Sequence, residues 1–161
     1  MLRVFVAKMD GYELLARGVK QVWGMDCLPE IVCAEGGKPC FKDRPEWHFN
    51  LSHSGQWAMC ALSDAPVGAD LEVIRPRREN LPAYVFKEEE YGRYLALSGD
   101  WPAFYILWTE VESIVKYTGE GLKAYRRAGL PVGCVISNLS GDGWKGAVCA
   151  HEPVEQVEYL D

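Results

Sequence analysis

The segment Gly68-Ala69-Asp70-Leu71-Glu72 alternates apolar and acidic residues with the period of a β-strand. Strand side chains point alternately to opposite faces, so Asp70 and Glu72 share one face while Ala69, Leu71 and Val73 share the other, apolar one. Two carboxylates side by side repel each other and add nothing to a core. A cation is expected over them. The strand must therefore bury one face and offer the other to a polar, charge-balancing site.

The flanking sequence predicts an alternating α and β chain. Residues 1–7 read as a strand. Residues 10–23 read as a helix, with Asp10 as N-cap, Leu15, Val19, Val22 and Trp23 on one face, and Gly24 at the stop. Residues 27–35 are expected to be extended, followed by the turn Gly36-Gly37-Lys38-Pro39. Residues 47–53 and 57–63 form a hairpin around Ser54-Gly55-Gln56. After the carboxylate strand come a polar stretch over 75–82 and a short helix over 85–97. A second helix begins at the cap Asp100, with Phe104, Leu107, Trp108, Val111, Ile114 and Val115 at helical spacing, and Gly119 and Gly121 end it. Residues 132–138 and 144–151 read as a closing hairpin with an extended tail. This order predicts an α+β fold of two lobes, an N-terminal one over 1–66 and a C-terminal one over 67–161 that carries the carboxylates.

Composition narrows the function. A net charge of −6 disfavours a nucleic-acid binder, since neutralising phosphates takes a clustered basic surface. The nearest such cluster is Arg75, Arg77 and Arg78; these residues, or Lys123, Arg126 and Arg127, are candidate docking patches for an acidic protein partner. No apolar run reaches the ~18 residues of a membrane span, and the start MLRVFVAK is short for a signal-peptide core, so a cytoplasmic location with no membrane partner is expected. The six cysteines show no zinc spacing and read as free thiols.

On the helix over 100–118, Glu112 lies beside the apolar stripe, with Lys116 one turn on. Alone, the pair reads as a surface i,i+4 salt bridge. Beside Asp70 and Glu72, it reads as the third carboxylate and the cation of a phosphate-handling metal site, because a hard divalent ion takes a few carboxylate oxygens plus water and phosphate. Ser52 and His53 are neighbours on a strand and face opposite ways, which argues against a Ser–His nucleophile pair. A histidine near Lys38 suits a phosphate grip.

Gly37-Lys38-Pro39, Phe49 to Ser54 (FNLSHS), Val67 to Glu72 (VGADLE) and Trp108 to Leu122 (WTEVESIVKYTGEGL), in that order, resemble the 4′-phosphopantetheinyl transferases. The closer likeness is to the two-lobed, surfactin-synthetase-activating type. The resemblance implies two pseudo-symmetric α+β lobes, the first shortened here, with coenzyme A and Mg²⁺ between them. The implied reaction carries the 4′-phosphopantetheine arm of coenzyme A to a serine of an acyl or peptidyl carrier protein. It implies Asp70, Glu72 and Glu112 as Mg²⁺ ligands, and Glu112 and Lys116 as catalytic groups. Lys38, Ser52, His53 and Lys116 are then the coenzyme A contacts. A monomer is expected, with a dimer open. Val111 stands where the family carries a lysine before the helix carboxylate. That departure opens a second reading, a weakened relative that binds coenzyme A or a carrier protein without efficient transfer. A Mg²⁺-dependent phosphohydrolase of unrelated fold is a third.

Overall fold

The computed structural model describes every residue except Glu35, so the last position of the extended segment expected over 27–35 lies outside the described residues. The chain opens with β1 (Leu2–Ala7) and α1 (Gly11–Trp23). The Asp10 carboxylate accepts the N–H groups of Tyr12 at 2.9 Å and Glu13 at 3.2 Å, satisfying donors that a helix start leaves free. At the other end Gly24 takes φ 69°, a left-handed cap that glycine adopts without a Cβ penalty. A small hairpin, β2 (Ile31–Cys33) and β3 (Pro39–Phe41), comes next. It is followed by the larger hairpin of β4 (His48–Ser54) and β5 (Trp57–Ser63), as the sequence predicts.

These elements build a first sheet in the order β4-β5-β1-β9, where β9 (Val157–Leu160) is the tail strand. Pairing is antiparallel except between β1 and β9, which run parallel with Val4 opposite Val157. Both faces of this sheet are buried. Phe5, Ala58, Cys60 and Leu62 pack with Leu14, Leu15 and Val19 of α1. On the other face Val4, Val6, Met59 and Ala61 meet Ala69, Leu71, Trp144 and Val148 of the second sheet.

That second sheet has the order β6-β8-β7, from β6 (Gly68–Val73), β7 (Val135–Gly141) and β8 (Trp144–Ala150). The long helix α4 (Trp101–Thr118), capped by Asp100 and stopped by Gly119, covers β6 and β8. Gly68 permits this: a Cβ there would collide with the Ser113 carbonyl and the Tyr117 backbone. The molecule is thus layered as helix, sheet, sheet, helix, an α+β arrangement.

Three elements differ from expectation. The helix predicted over 85–97 is α3 (Glu88–Leu97), and a separate short helix, α2 (Leu81–Val85), precedes it; Phe86 is extended between them, and the Glu90 carboxylate accepts the Lys87 N–H at 2.9 Å, starting the new helix. The basic run at 123–127 belongs to a further helix, α5 (Leu122–Ala128), which begins after Gly121 and is anchored by Tyr125 donating to Glu90. The turn at 36–39 gives way to β3 at Pro39. Among the described residues, no helix is long and apolar enough to cross a membrane, and all six cysteines are free thiols.

The tail strand is held by a forked ion pair, with Arg3 Nη2 2.7 Å from Glu158 and Gln21 donating to the same carboxylate. Hydrogen bonding from Arg3 holds the Glu158 carboxyl below its ordinary range. A depressed carboxyl pKa gives stability that is present above the ordinary range and lost as pH falls through the lowered value. Glu158→Gln is expected to cost at most about 1 kcal/mol, since the pair is part exposed, and to flatten the acid limb of thermal stability. A thermal-denaturation series from neutral to acid pH checks it, and an unchanged acid limb would rule out this ion pair as its source.

Candidate functional site

The strands β4 and β6 are edges of different sheets that lie side by side, and side chains bridge them. Asn50 Oδ1 accepts the Ala69 N–H at 2.9 Å, Ser52 Oγ the Leu71 N–H at 3.0 Å, and Ser54 Oγ the Val73 N–H at 3.1 Å. Every second residue of β4 thus serves every second N–H of β6, the register that strand alternation dictates. Each hydroxyl also has a proton to give. Ser52 donates to Asp70 Oδ1 at 2.9 Å and Ser54 to Glu72 Oε2 at 2.7 Å. The two strand carboxylates are therefore oriented by the same hydroxyls that join the sheets.

Asp70 is only 4% exposed, a correction to the expectation that the acidic face stands clear of the core. Its Oδ1 also accepts from Lys116 Nζ at 2.7 Å, the cation that the strand pattern calls for. This pairing replaces the i,i+4 bridge to Glu112. The other oxygen, Asp70 Oδ2, is buried with no hydrogen-bond partner. A buried acceptor left open in this way costs about 1–3 kcal/mol unless something fills it.

Asp70, Glu72, Glu112, Lys116, Ser52 and His53 line one cleft of about 660 Å³, with Tyr12, Phe49, Leu51 and Trp108 supplying apolar wall. Burial pushes the Glu112 carboxyl up, and the charges of Asp70 and Glu72 push it the same way against the opposing pull of Lys116. Three carboxylates therefore line one cleft, together with one paired lysine and an exposed histidine. Among the described residues, no three acidic, histidine or cysteine side chains stand as a ready-made metal cage. The donor set nonetheless suits a hard divalent ion, which completes its shell with water and phosphate oxygens rather than with protein alone.

His53 is exposed toward the cleft, as its opposition to Ser52 on the strand predicts. Two expected phosphate contacts are otherwise engaged. The Ser52 hydroxyl is turned inward, and Lys38 Nζ donates to the carbonyls of Val67 and Tyr117 beside a neighbouring cavity. Val111 is buried, spaced along α4 with Leu107 and Ile114, while Glu110 accepts from both Arg93 and Asn138. Sequence reading missed Asn50 and Ser54 as positioning groups. Their alternation with Ser52, opposite an alternating acidic strand, was the available signal.

Residues 66–153 match the family model described as the 4′-phosphopantetheinyl transferase superfamily. The chain is 39% identical over 111 residues to 4′-phosphopantetheinyl transferase Sfp of Bacillus subtilis (strain 168), covering 68% of this chain and 47% of that protein. It is 31% identical over 172 residues to 4′-phosphopantetheinyl transferase psf-1 of Bacillus pumilus, covering 93% and 74%. To 4′-phosphopantetheinyl transferase AcpT of Escherichia coli (strain K12) it is 45% identical over 151 residues, covering 83% and 74%. The chain spans about half the length of the Bacillus subtilis relative it matches.

The ladder between the sheets has a measurable weight. Ser52→Ala strands the Leu71 N–H and removes a donor from Asp70, an expected loss of about 1–3 kcal/mol in urea denaturation. Ser54→Ala, at a rung whose partners Glu72 and Val73 are less buried, should cost less. Losses below about 0.5 kcal/mol for both, the range of ordinary surface substitutions, would mean that the rungs carry no load.

Proposed function

The chain belongs to the 4′-phosphopantetheinyl transferase superfamily, and from that premise we propose that it transfers the 4′-phosphopantetheine arm of coenzyme A to a serine hydroxyl of an acyl or peptidyl carrier protein. The observation that carries this reading is the single cleft in which Asp70, Glu72, Glu112, Lys116 and His53 meet. In the proposed step the serine Oγ bonds to the phosphorus that bears the pantetheine. The bond from that phosphorus to the bridging oxygen breaks, and adenosine 3′,5′-bisphosphate leaves with the electron pair.

Glu112 takes the serine proton, directly or through a water. Its position on α4, lining the same cleft as Asp70 and Lys116, supports that role. Lys116, already drawn to Asp70, offers its positive charge to the transferred phosphoryl group. His53, exposed at the cleft wall, binds a nucleotide phosphate. Asp70, Glu72 and Glu112 would hold Mg²⁺, and the unpartnered Asp70 Oδ2 supports that assignment. When bound, the ion supplies charge neutralisation at the pyrophosphate. The lobes divide near residue 66 in this reading, with β9 of the second returning to the sheet of the first.

One observation favours the weakened-relative reading. Val111 is 4% exposed and faces the interior, so no cation stands beside Glu112 at that position. Val111→Lys distinguishes the two. A large gain in transfer favours a weakened enzyme, and no change leaves standing the reading of a module that binds without transfer.

Incubation with coenzyme A, Mg²⁺ and a panel of apo-carrier proteins should add one phosphopantetheine to a carrier, read by mass. Asp70→Asn and Glu112→Gln should abolish the addition while leaving the fold intact by circular dichroism. The amide is preferred to alanine at position 70, because Asp70 is buried and bonded to Ser52. Chelating the divalent ion should have the same effect. Full activity in both variants would overturn the metal and base assignments.

A further inference from the structure

Lys38 lies just before β3, yet its side chain runs out of that hairpin to two other elements. Its Nζ donates to the carbonyl of Val67, one residue before β6, at 2.9 Å, and to the carbonyl of Tyr117 in the last turn of α4 at 3.0 Å. The ammonium also lies 5.8 Å from the centre of the Tyr117 ring. The last carbonyls of a helix have no donor within it, and the Gly119 N–H is already given to Val115. A cation at this end also opposes the negative pole of the helix dipole.

The backbones converge at the same point. A Cβ on Gly36 would sit 3.3 Å from the Gly119 carbonyl, and one on Gly119 would sit 3.6 Å from the Lys38 Cβ. The two glycines, both at positive φ, let the hairpin loop rest on the turn that ends α4. Burial lowers the Lys38 pKa to about 8, which leaves the amine charged and donating at neutral pH.

We propose that Lys38 is a positioning residue. It caps α4 from a distant hairpin and ties that cap to the start of β6, so that the helix bearing Glu112 and Lys116 keeps a fixed offset from the strand bearing Asp70 and Glu72. Turning the ammonium into the cleft to grip phosphate would strip the donor from two carbonyls and release the end of the catalytic helix. The inference deepens the transferase reading and rests on it for its kinetic test alone.

Lys38→Met should lower kcat about tenfold while leaving KM for coenzyme A within about twofold, the pattern of a displaced catalytic group rather than a lost substrate contact. The preference for coenzyme A over 3′-dephospho-coenzyme A should be unchanged, and amides at 119–121 should exchange with solvent faster. A raised KM with unchanged kcat, or a lost preference for the 3′-phosphate, would overturn the proposal in favour of a phosphate contact. If the variant does not fold, the native protein decides. On titration with adenosine 3′,5′-bisphosphate, with the His53 imidazole resonance reporting occupancy, an unmoved Lys38 side-chain resonance supports the proposal and a shifted one overturns it. A native protein that transfers nothing to any carrier sinks the transferase reading, while amide exchange in Lys38→Met still decides the role of Lys38.

Discussion

Where β4 meets β6, two hydroxyls and an amide stand in for the backbone ladder that ordinarily joins neighbouring strands. An edge strand with free N–H groups invites pairing with any passing chain. Here Asn50, Ser52 and Ser54 occupy those groups from across the gap. The arrangement tolerates no slip. A shift of one residue would present Phe49, Leu51 and His53 to β6, leaving its N–H groups unmet and the carboxylates without their donors. Register between the sheets and orientation of Asp70 and Glu72 are thus one constraint, expressed through the same oxygen atoms.

The electrostatics follow from that constraint. Holding two acids on one strand against a third on α4 raises the charge density of a half-enclosed cleft, and the structure answers with a single close ammonium, Lys116. The balance is incomplete, as the open oxygen of Asp70 and the upward shift of Glu112 both attest. A half-open site with surplus negative charge suits a multivalent cation together with the phosphates that accompany it. The apolar wall of Tyr12, Leu51 and Trp108 lowers the local dielectric and strengthens each of these interactions.

Much of this was legible in the sequence because it rests on local rules. The caps at Asp10 and Asp100, the stops at Gly24 and Gly119, and the β4–β5 hairpin all follow from short-range chemistry. The split of Asp70 and Glu72 from Ala69 and Leu71 needed only the period of a strand. What escaped depends on partners distant in sequence. That Ser52 turns inward is decided by a strand it meets only after folding, and a motif cannot say which way a lysine as long as Lys38 will run. The short helix α5 lacks an apolar stripe and is stabilised by Tyr125 reaching Glu90. The burial of Asp70 escaped as well, since a strand pattern names the face of a carboxylate and not what covers it.

The parallel pairing of β9 with β1 sets the timetable on which the molecule can be completed. One flank of β1 closes on β5, the nearer strand in sequence, which sets Phe5 opposite Cys60, while the other closes on β9, the more distant one, which sets Val4 opposite Val157. Until β9 docks, Val4 to Ala7 present an unpaired, apolar edge. A partly folded chain in which β9 has not yet docked therefore carries an open sheet edge at β1 that the complete molecule lacks.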